Sequence, residues 1–198
     1  EDDGFEGRFD AKHSDKITAR LDLQPTLFDR VELHAGSSDG NRGVHDDLTD
    51  TNVLAGMDYS FFNARLHHNI DATRQWSASV YHNRSDQDEL IDFVDQGSYS
   101  ERLNFEIQYR DQPRDDLRLV TGASYRQDSG YSPLWFGTTD VQRNKVLRGF
   151  ANVEYRPVDP LLVNIGGMLE DNDLTGTDFL PRAGANYLID NHNTVRAS

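Results

Sequence analysis

The chain has 198 residues, of which 36% are hydrophobic and 10% aromatic, and it carries a formal net charge of −14 and no cysteine. The acidic balance argues against a nucleic-acid partner, because phosphate recognition needs a basic surface. The lack of cysteine excludes disulfides, thiolate chemistry and cysteine-ligated zinc. No apolar run has the length of a membrane-spanning helix, and no signal segment stands at the start, which we interpret as a processed or truncated chain.

Segments in which apolar and polar residues alternate recur along the chain. In chain order, the apolar positions of the clearest segments are Ile17, Ala19, Leu21 and Leu23; Trp76, Ala78 and Val80; Leu103, Phe105, Ile107 and Tyr109; Leu117, Leu119, Ala123 and Tyr125; and Leu147, Gly149, Ala151, Val153 and Tyr155. This period of two predicts strands with one apolar and one polar face. Phe150 interrupts the polar side of the last segment.

The connections between these segments alternate in length. Tight turns are predicted at 25–29, 72–75, 112–116, 157–160 and 189–192, and longer polar stretches at 37–50, 87–97, 127–140 and 171–177. Outer-membrane β-barrels have this layout, with short periplasmic turns and long extracellular loops. A soluble β-sandwich has no reason to keep that order.

Aromatic residues with a polar atom stand beside the short turns. Tyr109, Tyr155 and Tyr187 lie just before such turns and Trp76 lies just after one, each on the apolar face. Such rings favour the membrane interface, so we expect these four residues to form a girdle at the periplasmic rim. The alternative is that they close the ends of a soluble β core.

The pattern yields about ten strands, each near the length that a tilted strand needs to cross the hydrocarbon layer. The last segment, 193–198, stops in mid-strand, and an exposed final edge would be unsatisfied in lipid. The sequence therefore predicts an all-β fold in which residues 1–198 are part of a single antiparallel transmembrane β-barrel domain. A closed small barrel is the alternative.

Two stretches carry a family resemblance. Residues 179–187 read Phe-Leu-Pro-Arg-Ala-Gly-Ala-Asn-Tyr, and Thr194, Val195 and Arg196 follow after a short turn. This stretch resembles the barrel of TonB-dependent receptors, in which a Pro-Arg-x-Gly strand leads through a short turn into a Thr-hydrophobic-Arg strand. Residues 20–36 are similar in character to the hairpins of the same barrels.

The resemblance implies a monomeric outer-membrane barrel of about twenty-two strands, filled by an N-terminal plug. It also implies uptake of a scarce nutrient, such as a ferric siderophore, cobalamin or a glycan, energised by an inner-membrane TonB complex. The implied partners are outer-membrane lipid, the plug domain, the TonB complex and the small nutrient ligand. The chain itself has no plug, no energy-coupling segment and no barrel-closing aromatic strand, so we do not expect it to transport alone.

The predicted loop at 129–137 concentrates Tyr131, Trp135 and Phe136. Exposed aromatic side chains between polar flanks are candidates for contact with an apolar or sugar-like ligand. Alternatively, they fill the barrel mouth or rest on the outer interface belt, where aromatic side chains need no ligand.

Residues 171–176 begin like a calcium loop. Thr175 replaces the third acidic or amide ligand, and Arg182 stands where a bidentate glutamate is needed, so the pattern favours a flexible acidic loop. A looser divalent-cation site is an open alternative at Asp46, Asp47 and Asp50.

His67 and His68 are the only adjacent histidines. Neighbours in a strand point to opposite faces, so this pair cannot chelate one metal without a bulge. No metalloprotease, hydrolase, phosphate-binding or dinucleotide motif is present, and we expect neither an enzyme nor a resident metal or cofactor. An outer-membrane hydrolase with catalytic groups on its strands is the alternative.

Three functions fit the sequence and differ in what they predict. An energy-coupled receptor requires a plug upstream of this segment and further strands downstream. A passive porin or export barrel would conduct ions continuously, because its lumen is open. A soluble β-rich binding or adhesion module would stay folded and monomeric in buffer without detergent.

Overall fold

A computed structural model describes residues 11–46, 51–88, 90–91, 94–190 and 193–198. The described strands are β1 (Lys12–Leu23), β2 (Asp29–Asp46), β3 (Thr51–Asn69), β4 (Arg74–Asp88), β5 (Leu90–Ile91), β6 (Val94–Asp95), β7 (Ser98–Arg114), β8 (Leu117–Tyr131), β9 (Gln142–Val158), β10 (Leu161–Asn172), β11 (Gly176–Leu188) and β12 (Thr194–Ala197). The helix α1 (Pro133–Phe136) has four residues. Within the described ranges, no helix is long and apolar enough to cross a membrane.

Ten strands form one antiparallel sheet in the order β1-β2-β3-β4-β7-β8-β9-β10-β11-β12. Each strand of this sheet therefore pairs with the strands that precede and follow it in the sheet along the chain. The small hairpin β5-β6 is inserted between β4 and β7 and does not join the main sheet. The predicted number of strands and their antiparallel pairing are confirmed. An up-and-down order of this kind is the topology of a β-barrel wall.

The register aligns the apolar positions of neighbouring strands. Ile107 of β7 lies opposite Ala78 of β4 and Ala123 of β8. Because side chains alternate along each strand, the same register continues across the sheet and produces one apolar face and one polar face.

The apolar face is the exposed face. Phe105 is 46% exposed and Leu147 is 56% exposed, whereas the only buried hydrophobic residues of the described part are Ala55 and Val146. A soluble sandwich would gather these apolar side chains into a dry centre between two layers. The observed distribution excludes that alternative and fits a sheet whose apolar face contacts lipid.

The polar face is held together by ion pairs between neighbouring strands. The Arg148 guanidinium lies 2.5 Å from the Glu170 carboxylate across the β9–β10 pair. Arg102 of β7 makes the same kind of contact with Asp128 of β8, at 2.5 Å. These pairs satisfy charged groups that share the face with uncharged polar side chains, as the interior of a barrel requires.

Phe150 is the exception that the sequence pattern leaves unexplained, since it lies on the polar face. It stands opposite Gly122 of β8, and a Cβ added to Gly122 would come within 2.8 Å of the ring atom Cε1 of Phe150. The missing side chain of the glycine thus makes room for the aromatic ring. Position 122 needs glycine for this close approach, not for a special backbone angle.

Short turns connect the strands at one end of the sheet, which we call the short-turn end. In the β3–β4 turn, the Asp71 carboxylate accepts hydrogen bonds from the backbone N–H groups of Thr73 at 2.9 Å and Arg74 at 2.8 Å. In the β1–β2 turn, the Thr26 hydroxyl accepts one from the backbone N–H of Asp29 at 3.0 Å. Aspartate and threonine commonly close turns in this way. The tight turns predicted at 25–29, 72–75, 112–116 and 157–160 are confirmed, although β7 continues to Arg114, and residues 191–192 of the turn predicted at 189–192 lie outside the described residues.

At the other end, the long-loop end, the boundaries differ from those predicted. The stretch 37–50 was expected to be a loop, but β2 continues to Asp46; β8 likewise continues to Tyr131 and β10 to Asn172. Main-chain hydrogen bonds do not depend on side-chain polarity, so polar residues extend the ladder. The strands reach 19 residues, well beyond the roughly 10 that cross a membrane, and they project past it at this end.

Candidate functional site

The polar face forms a cleft of about 420 Å³ at the long-loop end, here called the mouth cleft. Its uncharged floor and aromatic wall are formed by Ser85, Gln87, Ser98, Ser100, Trp135 and Phe136. The floor comes from the ends of β4 and β7, and the wall comes from α1. None of these six side chains carries a charge, so this cleft suits the ring or hydroxyl-bearing part of a ligand.

The helix α1 sets the positions of the two aromatic side chains. The Ser132 hydroxyl accepts a hydrogen bond from the backbone N–H of Trp135 at 3.4 Å, Pro133 occupies the first turn, and Gly137 ends the helix with φ of 65°. Serine and proline are favoured at helix starts and glycine just past helix ends. The sequence 132–137 thus encodes one short, capped turn that presents Trp135 and Phe136 together.

The three predicted ligand-contact residues line one cleft but differ in surroundings. Trp135 is 82% exposed. Phe136 is 51% exposed and packs beside Gly130, on which a Cβ would lie 3.7 Å from ring atom Cε2. Tyr131 stacks on Tyr99 with ring centroids 6.0 Å apart and an interplanar angle of 11°. Trp135 is therefore the side chain with most free surface for a ligand, and a ligand role for all three stays a prediction.

A second cleft of about 210 Å³ adjoins the first and is called here the lysine cleft. Its lining includes Lys12, Lys16 and Arg42 together with Ser38 and Tyr59, and Asp58 is the one carboxylate among the lining residues. Ser85 lines both clefts, so they form one continuous surface. Positive side chains gather here although the chain carries a net charge of −14, which suits an anionic group of a ligand.

Sequence reasoning missed the lysine cleft. Arg42 is far from Lys12 along the chain, and the β1–β2 register places the two directly opposite each other. The available signal was the polar-face series Lys12, Ser14 and Lys16 in β1, in which two lysines on the same face are four residues apart. Without the register of β2, this series reads as an ordinary polar strand face.

The predicted girdle residues lie near the short-turn end. Tyr109, Tyr155 and Tyr187 are exposed on the apolar face. Trp76 is half-buried, lies opposite Tyr109 in the β4–β7 register, and its ring centroid is 5.7 Å from that of His68. Their place beside the short turns agrees with an interfacial belt, and contact with the membrane interface stays a prediction.

The sequence motifs weighed for metal binding do not form a site among the described residues. Within those ranges, no group of three or more histidine, aspartate and glutamate side chains could hold a metal ion. In the acidic turn, Asp171 accepts a hydrogen bond from the Thr177 hydroxyl at 2.8 Å, and the Asn172 side chain accepts one from the backbone N–H of Leu174 at 3.0 Å. These oxygens organise the turn. The alternative divalent site at 46–50 involves Asp47 and Asp50, which lie outside the described residues.

His67 and His68 point to opposite faces, as expected for neighbours in a strand. His68 pairs with Asp29 at 2.7 Å, whereas His67 lines a cleft on the polar face. The two rings therefore do not share one metal ion.

Solved structures with a similar fold include siderophore receptors and a copper transporter. The siderophore receptor PirA from Pseudomonas aeruginosa is 12% identical, with a TM-score of 0.78 over 93% of this chain and 32% of that chain. A mutant of the ferric enterobactin receptor PfeA from Pseudomonas aeruginosa is 11% identical, with a TM-score of 0.75 over 93% and 32%. The copper transporter OprC is 14% identical, with a TM-score of 0.63 over 92% and 35%. The chain thus spans about a third of the length of these structures.

The sequence itself identifies the family. No curated protein sequence matches the chain. Residues 4–198, nearly the whole chain, match the family model described as TonB dependent receptor-like, beta-barrel. The resemblance inferred from 179–196 is therefore confirmed, as is the expectation of a segment of a larger barrel. The chain belongs to the TonB-dependent receptor-like β-barrel family, and its ten-stranded sheet is a segment of the wall of a bacterial outer-membrane barrel.

Proposed function

We propose that this chain is the ligand-facing wall of an outer-membrane receptor that takes up a ferric siderophore, driven by TonB. The observation that carries the proposal is the continuous surface made of the lysine cleft and the mouth cleft at the extracellular end. The proteins of similar fold include a siderophore receptor and a ferric enterobactin receptor, which supports this ligand class. Enzymatic activity forms no part of the proposal.

The chemistry of the two clefts suits a metal chelate with an anionic and a ring-bearing part. Lys12, Lys16 and Arg42 offer positive charge to the anionic part. Trp135 offers a flat, 82% exposed surface to the ring. Ser85 lies between them and its hydroxyl suits a polar linker. Charge attraction at the mouth would also raise the association rate of an anionic ligand, an effect that weakens with salt.

Uptake further requires parts that lie outside residues 1–198. In this proposal, a plug domain of the full-length protein fills the lumen, and the TonB complex of the inner membrane moves it. The receptor would work as a monomer. A passive porin or export barrel differs because it needs no energy and conducts ions continuously.

Ligand binding by the full-length receptor tests the proposal. Ferric siderophores of catecholate and hydroxamate type are titrated against the receptor in detergent while tryptophan fluorescence is recorded. We expect Lys16→Glu and Trp135→Ala each to weaken binding about tenfold or more, because each removes a direct contact. Arg118→Glu is the matched control, since Arg118 is also on the polar face but pairs with Glu154 near the short-turn end.

Uptake of radioactive iron by cells that produce the receptor separates the mechanisms. An energised receptor stops importing when the proton gradient is collapsed, whereas a passive channel continues. Unchanged affinity of both cleft variants for every siderophore that binds, or import that survives loss of the gradient, would overturn the proposed function.

A further inference from the structure

The polar face has another cleft at the periplasmic end of the wall, with a volume of about 460 Å³, called here the periplasmic cleft. Its polar lining comes from four strands: Arg30 of β2, His67 and Asn69 of β3, Gln75 of β4 and Arg110 of β7. The register fixes this arrangement, because Arg30 lies opposite His67 and Gln75 lies opposite Arg110. The mouth and lysine clefts play no part in it.

Hydrogen-bond donors dominate this cleft. Asn69 accepts a hydrogen bond from the Gln75 side chain at 2.9 Å through its oxygen, which leaves its own N–H groups for another partner. Asp29 also lines the cleft, but its carboxylate is occupied by His68 at 2.7 Å and by the Thr26 hydroxyl at 2.5 Å. Arg30, Arg110 and Asn69 thus offer N–H donors to a ligand, and the side-chain amides of Gln24 and Gln75 also offer acceptor oxygens.

The charge of the periplasmic cleft is positive. Arg65 lies next to Arg30 on the same face, opposite Glu32. Within the described ranges, Glu32 is the carboxylate that pairs with Arg30, at 2.9 Å. Among the described residues, Arg110 has no carboxylate at ion-pair distance. Arginine side chains recognise carboxylates by paired, parallel hydrogen bonds.

We propose that the periplasmic cleft binds an acidic peptide segment of the domain that occupies the lumen. The inference rests on the proposed function, which places such a domain inside the barrel. Distance separates this cleft from the ligand surface: Ser100 in the mouth cleft and Arg110 are ten residues apart on β7, or roughly 33 Å along the strand. A ligand held at the mouth does not reach Arg110, and a protein segment inside the lumen does.

Two apolar residues at the edge of the periplasmic cleft indicate that the partner also presents an apolar side chain. Leu27 and Phe28 of the β1–β2 turn line the periplasmic edge of the cleft and are 86% and 55% exposed. A segment that presents a carboxylate to Arg110 and an apolar side chain to Phe28 would fill both parts. The partner is therefore an acidic segment with a neighbouring apolar residue, held at the periplasmic exit.

Site-specific photocrosslinking in the full-length receptor, produced in the outer membrane, tests this assignment. A benzophenone amino acid replaces Gln75, which lies between Asn69 and Arg110. We expect irradiation to yield an internal crosslink, mapped by mass spectrometry to a peptide outside residues 1–198 that contains aspartate or glutamate. Arg110→Glu should lower the crosslink yield about tenfold by repelling that carboxylate, whereas Arg110→Lys should retain most of it. Arg118→Glu, on the same face and near the same end, should leave the yield unchanged.

The outcomes separate this inference from the proposed function. Resistance of the receptor to unfolding in dodecyl sulfate at room temperature shows that each variant has folded, and Arg110→Gln serves if Arg110→Glu does not fold. The inference is overturned if the folded receptor gives no internal crosslink, if the crosslinked peptide lacks acidic residues, or if the yield survives charge reversal. Siderophore binding is measured on the same samples. Binding that persists without the crosslink overturns only the inference, and a crosslink without any siderophore binding overturns only the proposed function.

Discussion

A lysine at Phe105 should destabilise the barrel according to the depth of that position in the membrane. Phe105 is on the apolar face, opposite Val80 and Tyr125, and is 46% exposed. It lies four residues from Tyr109, and a strand tilted by about 40° crosses roughly 2.6 Å of membrane per residue. Phe105 is thus roughly 10 Å inside the expected girdle, near the middle of an apolar band about 25 Å tall.

At that depth, a charged side chain costs about 2–4 kcal/mol of stability, and at the interface about 0–1 kcal/mol. Phe105→Lys should therefore lower the free energy of unfolding by about 2–4 kcal/mol and Tyr109→Lys by at most about 1 kcal/mol. The control is Ser79→Lys, at nearly the same depth on the polar face, where Ser79 lies between Glu106 of β7 and Arg65 of β3. We expect its effect to stay within about 0.5 kcal/mol.

The assay is reversible unfolding of the full-length receptor in lipid vesicles by guanidinium, followed by tryptophan fluorescence. The difference between Phe105→Lys and Ser79→Lys is the decisive quantity, because both add the same side chain to neighbouring strands. Equal destabilisation by the two variants, or a larger effect of Tyr109→Lys than of Phe105→Lys, would refute the assignment of the apolar face to lipid.

Three further predictions concern packing, pH and the girdle. Gly122→Val should destabilise the barrel by about 1–3 kcal/mol in the same unfolding assay because its side chain collides with Phe150; wild-type stability would contradict this packing. Hydrogen bonding from Arg74 is the main cause that holds the pKa of Asp71 well below its ordinary value. The contribution of the Asp71 carboxylate to the free energy of unfolding should therefore be complete above about pH 4 and be lost as the pH falls towards that lowered pKa. Acid unfolding should thus shift to a higher pH when Arg74→Gln weakens the turn, and an unchanged midpoint would argue against it. Trp76 emission, measured as the difference in fluorescence between the wild type and Trp76→Phe, should be quenched by lipids that are brominated near the headgroup. A lack of quenching would show that Trp76 does not lie at the interface.

Much of the wall followed from side-chain alternation. The series Leu103, Phe105, Ile107 and Tyr109 predicted both a strand and its lipid-facing side. This was possible because the alternation of apolar and polar side chains is a property of a single strand. The tight turns were equally readable, since Asp71 and Thr26 satisfy backbone groups within a few residues of themselves. Local chemistry explains both successes.

Features that depend on pairing between strands could not be predicted from the sequence. The loop predicted at 37–50 is largely strand, because main-chain ladders persist where side chains are polar. Phe150 looked like a defect in the pattern until the register placed it over Gly122. The lysine cleft and the periplasmic cleft each combine side chains from several strands, so the sequence of a single segment does not predict them. Of the candidate site, the sequence indicated the aromatic residues Tyr131, Trp135 and Phe136, which all line the mouth cleft.

The hairpin β5-β6 lies between β4 and β7 along the chain and takes no part in the main sheet. Those two strands pair along their length from Arg74 and Asp111 to Gln87 and Ser98, and the hairpin contributes no strand to that ladder. Evolution can therefore lengthen, shorten or replace this segment at little cost to the scaffold. A segment outside the shared ladder can thus diverge in sequence and length while the architecture of the barrel wall is conserved.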